Sequence, residues 1–141
     1  MTPERRDDLE AVIGDSPARV LREPAYVIRV EAGASLADGD LAILHDDTDT
    51  TLVTTAVDRR AHAERTGQPF EGPFTVIRLE ISLSFQAPGF IAAATGACAA
   101  AGINVFVLST FSYDYLLVPE ADRVATRAAL VARGFPVHDV S

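Results

Sequence analysis

Residues 102–119 read GINVFVLSTFSYDYLLVP. After a glycine come an apolar run, Ile103–Leu108, a polar break at Ser109–Ser112, and a second apolar run, Tyr113–Val118. Two short β-branched and aromatic runs joined by turn residues read as two strands and a connection, the first suited to a central strand. Working outward, the preceding segment Phe90–Ala101 is alanine-rich, and Phe90, Ala93, Ala94, Ala97 and Ala101 recur at helical spacing before Gly102 supplies a stop. Ala87-Pro88-Gly89 separates that helix from Phe74–Leu83 (FTVIRLEISL), which alternates with period two. One face of this expected strand carries Phe74, Val76, Arg78, Glu80 and Ser82, and the other, more apolar face carries Thr75, Ile77, Leu79, Ile81 and Leu83. On the other side, Pro119-Glu120 opens a helix to about Arg133, with Val124, Ala128 and either Val131 or Leu130 facing inward. Gly134 ends it and Phe135–Val140 can form a last strand. The order is β-α-β-β-α-β, which predicts an α+β, ferredoxin-like unit: an antiparallel four-stranded sheet with two helices on one face.

The first half is shorter and less regular. Thr2-Pro3-Glu4 has the residues of a helix start, with threonine as cap and proline at the first position. Ser16-Pro17 and Glu23-Pro24 punctuate. Ala25–Glu31 reads as a strand, Leu41–His45 and Thr51–Thr55 as a hairpin around Asp46–Thr50, and Ala56–Arg65 as a helix. Strand, hairpin and helix in that sense look like a truncated copy of the second half. The expected organisation is residues 1–67 as the truncated half, 68–73 as a linker with Pro69, Gly72 and Pro73, and 74–141 as the complete unit.

Composition removes several functions. Twelve basic residues stand against 20 acidic ones, for a net charge of −8. Nucleic-acid and anionic-membrane binding both need a basic footprint, and neither is expected here. All the basic residues are arginine, so lysine-based covalent chemistry and a phosphate-loop lysine are excluded. Cys98 is the single cysteine, which excludes an intrachain disulfide and any CxxC site. The start MTPERRDDLEA is charged and has no apolar signal core, so a cytoplasmic location is expected. No charged residue lies between Glu80 and Asp114. Pro88, Gly89, Gly96, Gly102 and Asn104 interrupt that stretch, and a buried helix feeding a buried strand fits it better than a membrane span.

The segment Ser109-Thr110-Phe111-Ser112-Tyr113-Asp114 between two apolar strands, preceded by ISLSFQAPGFIAAA, resembles the ACT domain of the arginine-sensing CASTOR proteins and their bacterial relatives. The resemblance covers about residues 74–135, and the whole chain is similar to short bacterial proteins with two ACT-like halves. It implies a regulatory domain whose sheets pair side by side between two copies, with a small ligand, usually an amino acid, near the first strand–helix loop. Carried over position by position, it implies Gly89, Thr110, Phe111, Ser112, Tyr113 and Asp114 as ligand-binding residues, and a homodimer.

Elementary chemistry points the same way. A helix that starts at Pro88–Ile91 offers free N–H groups and a partial positive charge to a carboxylate. Asp114 can hold an ammonium or guanidinium by charge-assisted hydrogen bonds, and Phe111 and Tyr113 offer ring faces to a cation or an aliphatic chain. An amino acid is the simplest molecule with both ends. A plain turn accounts for the same residue types: Ser, Thr and Asp are common in turns, and the aromatics could be core.

Other motifs carry less. His45–Thr50 (HDDTDT) has metal-ligand residue types but lacks the glycine and distal glutamate of a calcium loop, so a solvated hairpin turn is expected. His45, His62 and His138 are scattered, Cys98 reads as a small buried hydrophobe, and the Gly89–Gly96 spacing is no nucleotide loop. No metal or cofactor is expected. Three functions remain open: a non-catalytic, amino-acid-binding regulatory module; an interaction or dimerisation module without ligand; and an enzyme using Asp114 with Tyr113, Ser112 and Thr110. The last is disfavoured because no histidine adjoins them and no nucleophile motif occurs.

Overall fold

The structure is a computed structural model that describes residues 8–81 and 88–140. The expected helix start at Thr2-Pro3-Glu4, and Ser82 and Leu83 of the expected strand, lie outside the described residues. In chain order the elements are α1 (Leu9–Gly14), β1 (Ala18–Val20), β2 (Ala25–Val30), β3 (Asp40–His45), β4 (Thr50–Thr54), α2 (Val57–Thr66), β5 (Phe70–Leu79), α3 (Phe90–Ala100), β6 (Phe106–Ser109), β7 (Asp114–Pro119), a 3-10 turn at Glu120–Asp122, α4 (Arg123–Arg133) and β8 (Val137–Asp139). Contacts divide the chain into two compact units, one of residues 23–74 and the other of the described parts of 1–22 and 75–141.

In the unit of residues 23–74, β4 pairs antiparallel with both β3 and β2, and β2 pairs antiparallel with Phe70–Phe74 of β5. The loop 31–39 stands between β2 and β3 where a complete βαββαβ unit has its first helix. The backbone closes tightly where β5 meets β2. A Cβ on Gly72, at φ +127°, would lie 2.8 Å from the Tyr26 ring and 2.9 Å from the Ala25 carbonyl oxygen, so only glycine fits there. Asp40 anchors the hairpin through an ion pair of 2.7 Å with Arg59 on α2 and a hydrogen bond from the Ala37 amide. Burial works against the Asp40 carboxylate, but bonds from Thr54, Ala37 and Arg59 outweigh it and hold its pKa below the usual value.

The other unit has the strand order β8–β1–β5–β7–β6. Here the expected four-stranded antiparallel sheet needs correction. Strand β1 lies antiparallel beside β5, Ala18 opposite Leu79 and Val20 opposite Ile77, and takes the seat a four-stranded sheet would give to the last strand. The last strand, β8, pairs with β1 instead, and pairs parallel. Ala18 and Val20 enter the core while Arg19 points away from it, a pattern complete in three residues.

The core joins Ile77 and Leu79 of β5, Leu116 and Val118 of β7, Phe90, Ala94 and Cys98 of α3, Leu130 of α4, and Val12 and Ile13 of α1. Phe90 meets Phe135 edge to face at 5.6 Å. Of the residues expected to face inward on α4, Leu130 does, whereas Val124, Ala128 and Val131 do not. Thr126 and Leu130 are buried, whereas Val124 is 79% and Val131 56% exposed. Thr126 can be buried because its hydroxyl donates to the Asp122 carbonyl at 2.7 Å. On α3 the inward residues are Phe90, Ala94 and Cys98, and Ala101 is exposed. Ile103 is core but not strand: its amide donates back to the Cys98 carbonyl and completes the end of α3. Strand β6 therefore starts at Phe106 and pairs only with β7 among the described residues, so it is an edge strand rather than a central one.

Candidate functional site

The connection between β6 and β7 folds as a tight turn organised by Thr110. Its amide donates to the Tyr113 carbonyl at 2.8 Å, and its hydroxyl accepts from the amides of Ser112 and Tyr113 at 3.3 and 3.0 Å. The Ser109 hydroxyl donates to Asp114 Oδ1 at 2.7 Å, across the first pair of the β6–β7 ladder. The turn is therefore preorganised by its own side chains. It leaves Phe111 87% exposed and Asp114 half-buried.

On β5 and its continuation stands a second polar group. Glu80 receives Arg19 Nε at 2.7 Å on one oxygen and Arg78 Nε at 2.8 Å on the other. Arg19 and Arg78 are direct cross-strand partners, and Glu80 neutralises two like charges that would otherwise face each other. Burial penalises the Glu80 carboxylate, yet the two arginines prevail and its pKa lies below the usual value. Arg78 also stacks its guanidinium over the Tyr113 ring, 5.0 Å from the centroid.

A cleft of about 360 Å³ opens beside this turn. Ile81 and the segment Pro88–Ile91, where α3 begins, line it together with Thr110–Asp114. All six residues singled out from the sequence, Gly89, Thr110, Phe111, Ser112, Tyr113 and Asp114, meet around this one opening. Gly89 has φ +89° and its carbonyl accepts the first helical bond, from Ala93. The amides of Phe90, Ile91 and Ala92 precede the first intrahelical donor, the usual state of a helix start. Among the described residues the cleft thus combines apolar walls at Ile81, Ile91 and Phe111, a helix start and one carboxylate. Sequence reasoning missed the walls at Ile81 and Ile91 and the Arg78 stack. Alternation along β5 did place Arg78 and Glu80 on one face, which was the available signal.

Outside the cleft the polar loops serve themselves. Asp46 Oδ1 accepts the amides of Thr48 and Asp49 at 2.8 and 2.7 Å, and these bonds hold its pKa below the usual value. Among the described residues, no group of three or more His, Cys, Asp and Glu side chains could hold a metal ion. No described helix is long and apolar enough to cross a membrane. Cys98 is fully buried, and burial pushes its thiol pKa up, away from nucleophilic character.

The family model of the ACT domain matches residues 70–131. These residues are an ACT domain. No curated protein matches the chain. Solved structures share the architecture over most of its length. A protein from Agobacterium tumefaciens is 20% identical, with a TM-score of 0.74 over 89% of this chain and 94% of that one. A Vibrio cholerae protein of unknown function is 21% identical, with a TM-score of 0.73 over 91% and 97%. The regulatory subunit of aspartate kinase from Thermus thermophilus is 13% identical, with a TM-score of 0.59 over 82% and 95%. At these identities the likeness is one of fold. The ACT domain here carries the cleft's turn, its helix start and the Arg78–Tyr113 stack within the matched residues.

Proposed function

We propose that the chain is a non-catalytic, cytoplasmic regulatory module whose ACT domain binds a small molecule, an amino acid, in the cleft beside the Thr110–Asp114 turn. The observation that carries this reading is the pairing of opposite chemistries around one opening: the start of α3 at Gly89–Ile91 suits a carboxylate, and Asp114 suits an ammonium or a guanidinium. Asp114 forms no ion pair among the described residues, so its charge is available to a ligand cation. The regulatory subunit of aspartate kinase, with the same fold, is consistent with a regulatory role.

The module acts as a homodimer. Support comes from β6, an edge strand that leaves Phe106 43% and Val107 41% exposed. The same exposure favours the second reading, an interaction module without ligand.

A thermal-shift screen of the purified protein against the twenty amino acids separates the two. Ligand at a hundred times its dissociation constant adds about 2.7 kcal/mol, a rise of roughly 5 °C. One amino acid should give such a rise, and Asp114→Ala, which removes only the exposed Ser109 partnership, should abolish it without unfolding the protein. No rise with any amino acid would leave the ligand-free interaction module as the function.

A further inference from the structure

The cleft beside the Thr110–Asp114 turn is poor in charge. Apart from Asp114, each described residue that lines it belongs to the stretch 81–113, and that stretch has no charged side chain. Its walls at Ile81 and Ile91 are hydrocarbon. At about 360 Å³ the cleft is near the small end of ligand sites, which run from about 300 to 1,000 Å³. An amino acid brings one ammonium and one carboxylate before its side chain is counted. Asp114 answers the ammonium, and the start of α3 answers the carboxylate. A cation on the side chain would then compete with the ammonium for the same Asp114. A second carboxylate would be repelled by Asp114, the one charge lining the cleft among the described residues.

Behind the Tyr113 ring the balance is positive. Arg78 lies over that ring with its guanidinium carbon 5.0 Å from the centroid. Its Nε and Nη2 both hold Glu80 Oε2 at 2.8 Å, while Arg19 Nε holds Oε1 at 2.7 Å. Two guanidiniums share one carboxylate, so this group carries one positive charge in excess. The double bond to Glu80 fixes the Arg78 charge in place against the ring. A second cation in the cleft would be repelled by that excess, and a hydrocarbon side chain would not.

We infer that the cleft selects an amino acid with an uncharged, apolar side chain, and that Arg78 sets this specificity through its fixed charge behind Tyr113. The inference rests on the amino-acid reading of the cleft given above. Arg78 is not among the residues that line the cleft. It is therefore a positioning residue, acting through Tyr113 and through its field rather than by touching the ligand.

Calorimetric titration of the full chain with the twenty L-amino acids, and with L-norleucine as a lysine that lacks its side-chain ammonium, tests it. An apolar amino acid should bind the wild type at least about tenfold more tightly than lysine, arginine or glutamate, since a charge left without a partner costs about that much. Tightest binding by a charged or polar amino acid would overturn the inference and leave the amino-acid reading standing. No binding by any of them would remove both. Arg78→Gln should lower the ratio of affinities for the tightest apolar amino acid and for lysine by about threefold or more. Arg78→Lys, which keeps the charge, should restore most of that ratio. A stack that only held Tyr113 in place would weaken both ligands alike in Arg78→Gln, and an unchanged ratio there would overturn the role of Arg78.

Discussion

The guanidinium of Arg78 lies over the ring of Tyr113 at 5.0 Å, so one face of an aromatic that lines the cleft already has its cation. A ligand cation in the cleft would have only the other face of that ring. The stack also ties the cleft to β1, because Arg78 and Arg19 share the Glu80 carboxylate. Arg78 remains charged although burial opposes it, through its bonds to Glu80 and Tyr115.

Arg78→Gln should therefore lower the unfolding free energy by about 1–2 kcal/mol, from the lost stack and the lost charge-assisted bonds. Arg78→Lys should recover only part of this, since an ammonium cannot lie flat on the ring while bonding the carboxylate. Urea unfolding of the three proteins measures both values. Equal stability of wild type and Arg78→Gln would show that the network contributes nothing.

The same carboxylate sets an acid limit on stability. Folded Glu80 has a pKa below its ordinary value of 4.5, because the attraction of Arg19 and Arg78 exceeds the penalty of burial. The folded state thus binds fewer protons than the unfolded one as pH falls. The stabilisation is fully present above the ordinary glutamate range and is lost as pH drops through the folded value. Asp40, held by Thr54, Ala37 and Arg59, acts in the same direction below its ordinary 3.8. Melting temperature should be flat from neutral pH to about 5 and fall below that. Glu80→Gln should melt lower at neutral pH and lose part of the acid-side slope. An unchanged slope would mean that Glu80 does not contribute to it.

The legible parts of this fold were those where pattern and packing agree. The run of small residues in α3, the polar break at Ser109–Ser112 and the alternation in β5 each have one physical reading, and they fix the order of elements. The same polar break made Thr110–Asp114 stand out, and the structure gathers those residues with Gly89 around one cleft. Strand β1 was not legible, because three residues after Pro17 carry too little periodicity to separate a strand from a loop, and their partners lie some sixty residues away. Helix α4 misled for another reason. Valine outweighs threonine as a core marker, but the Thr126 hydroxyl is satisfied within its own helix and the residue can be buried. Ile103 looked like the start of a strand and is instead the cap contact that ends α3.

Two glycines on the same helix give a paired prediction of opposite sign. Gly89 stands at the helix start with φ +89°, a region in which an L side chain is strained, and its Cβ would lie 3.4 Å from Leu9 Cδ2. Gly89→Ala should therefore destabilise the protein by about 1–2 kcal/mol and change the mouth of the cleft. Gly96 lies within the helix, and among the described residues a Cβ there would meet nothing within 4 Å. Gly96→Ala should stabilise the isolated chain by about 0.5–1 kcal/mol, because alanine loses less backbone entropy on folding. Denaturant unfolding at low protein concentration, where self-association does not contribute, measures both. If Gly89→Ala were as stable as the wild type, the left-handed start of α3 would be wrong, and with it the shape of the cleft. If Gly96→Ala were destabilised instead, a neighbouring group would have to fill the space that is open here among the described residues.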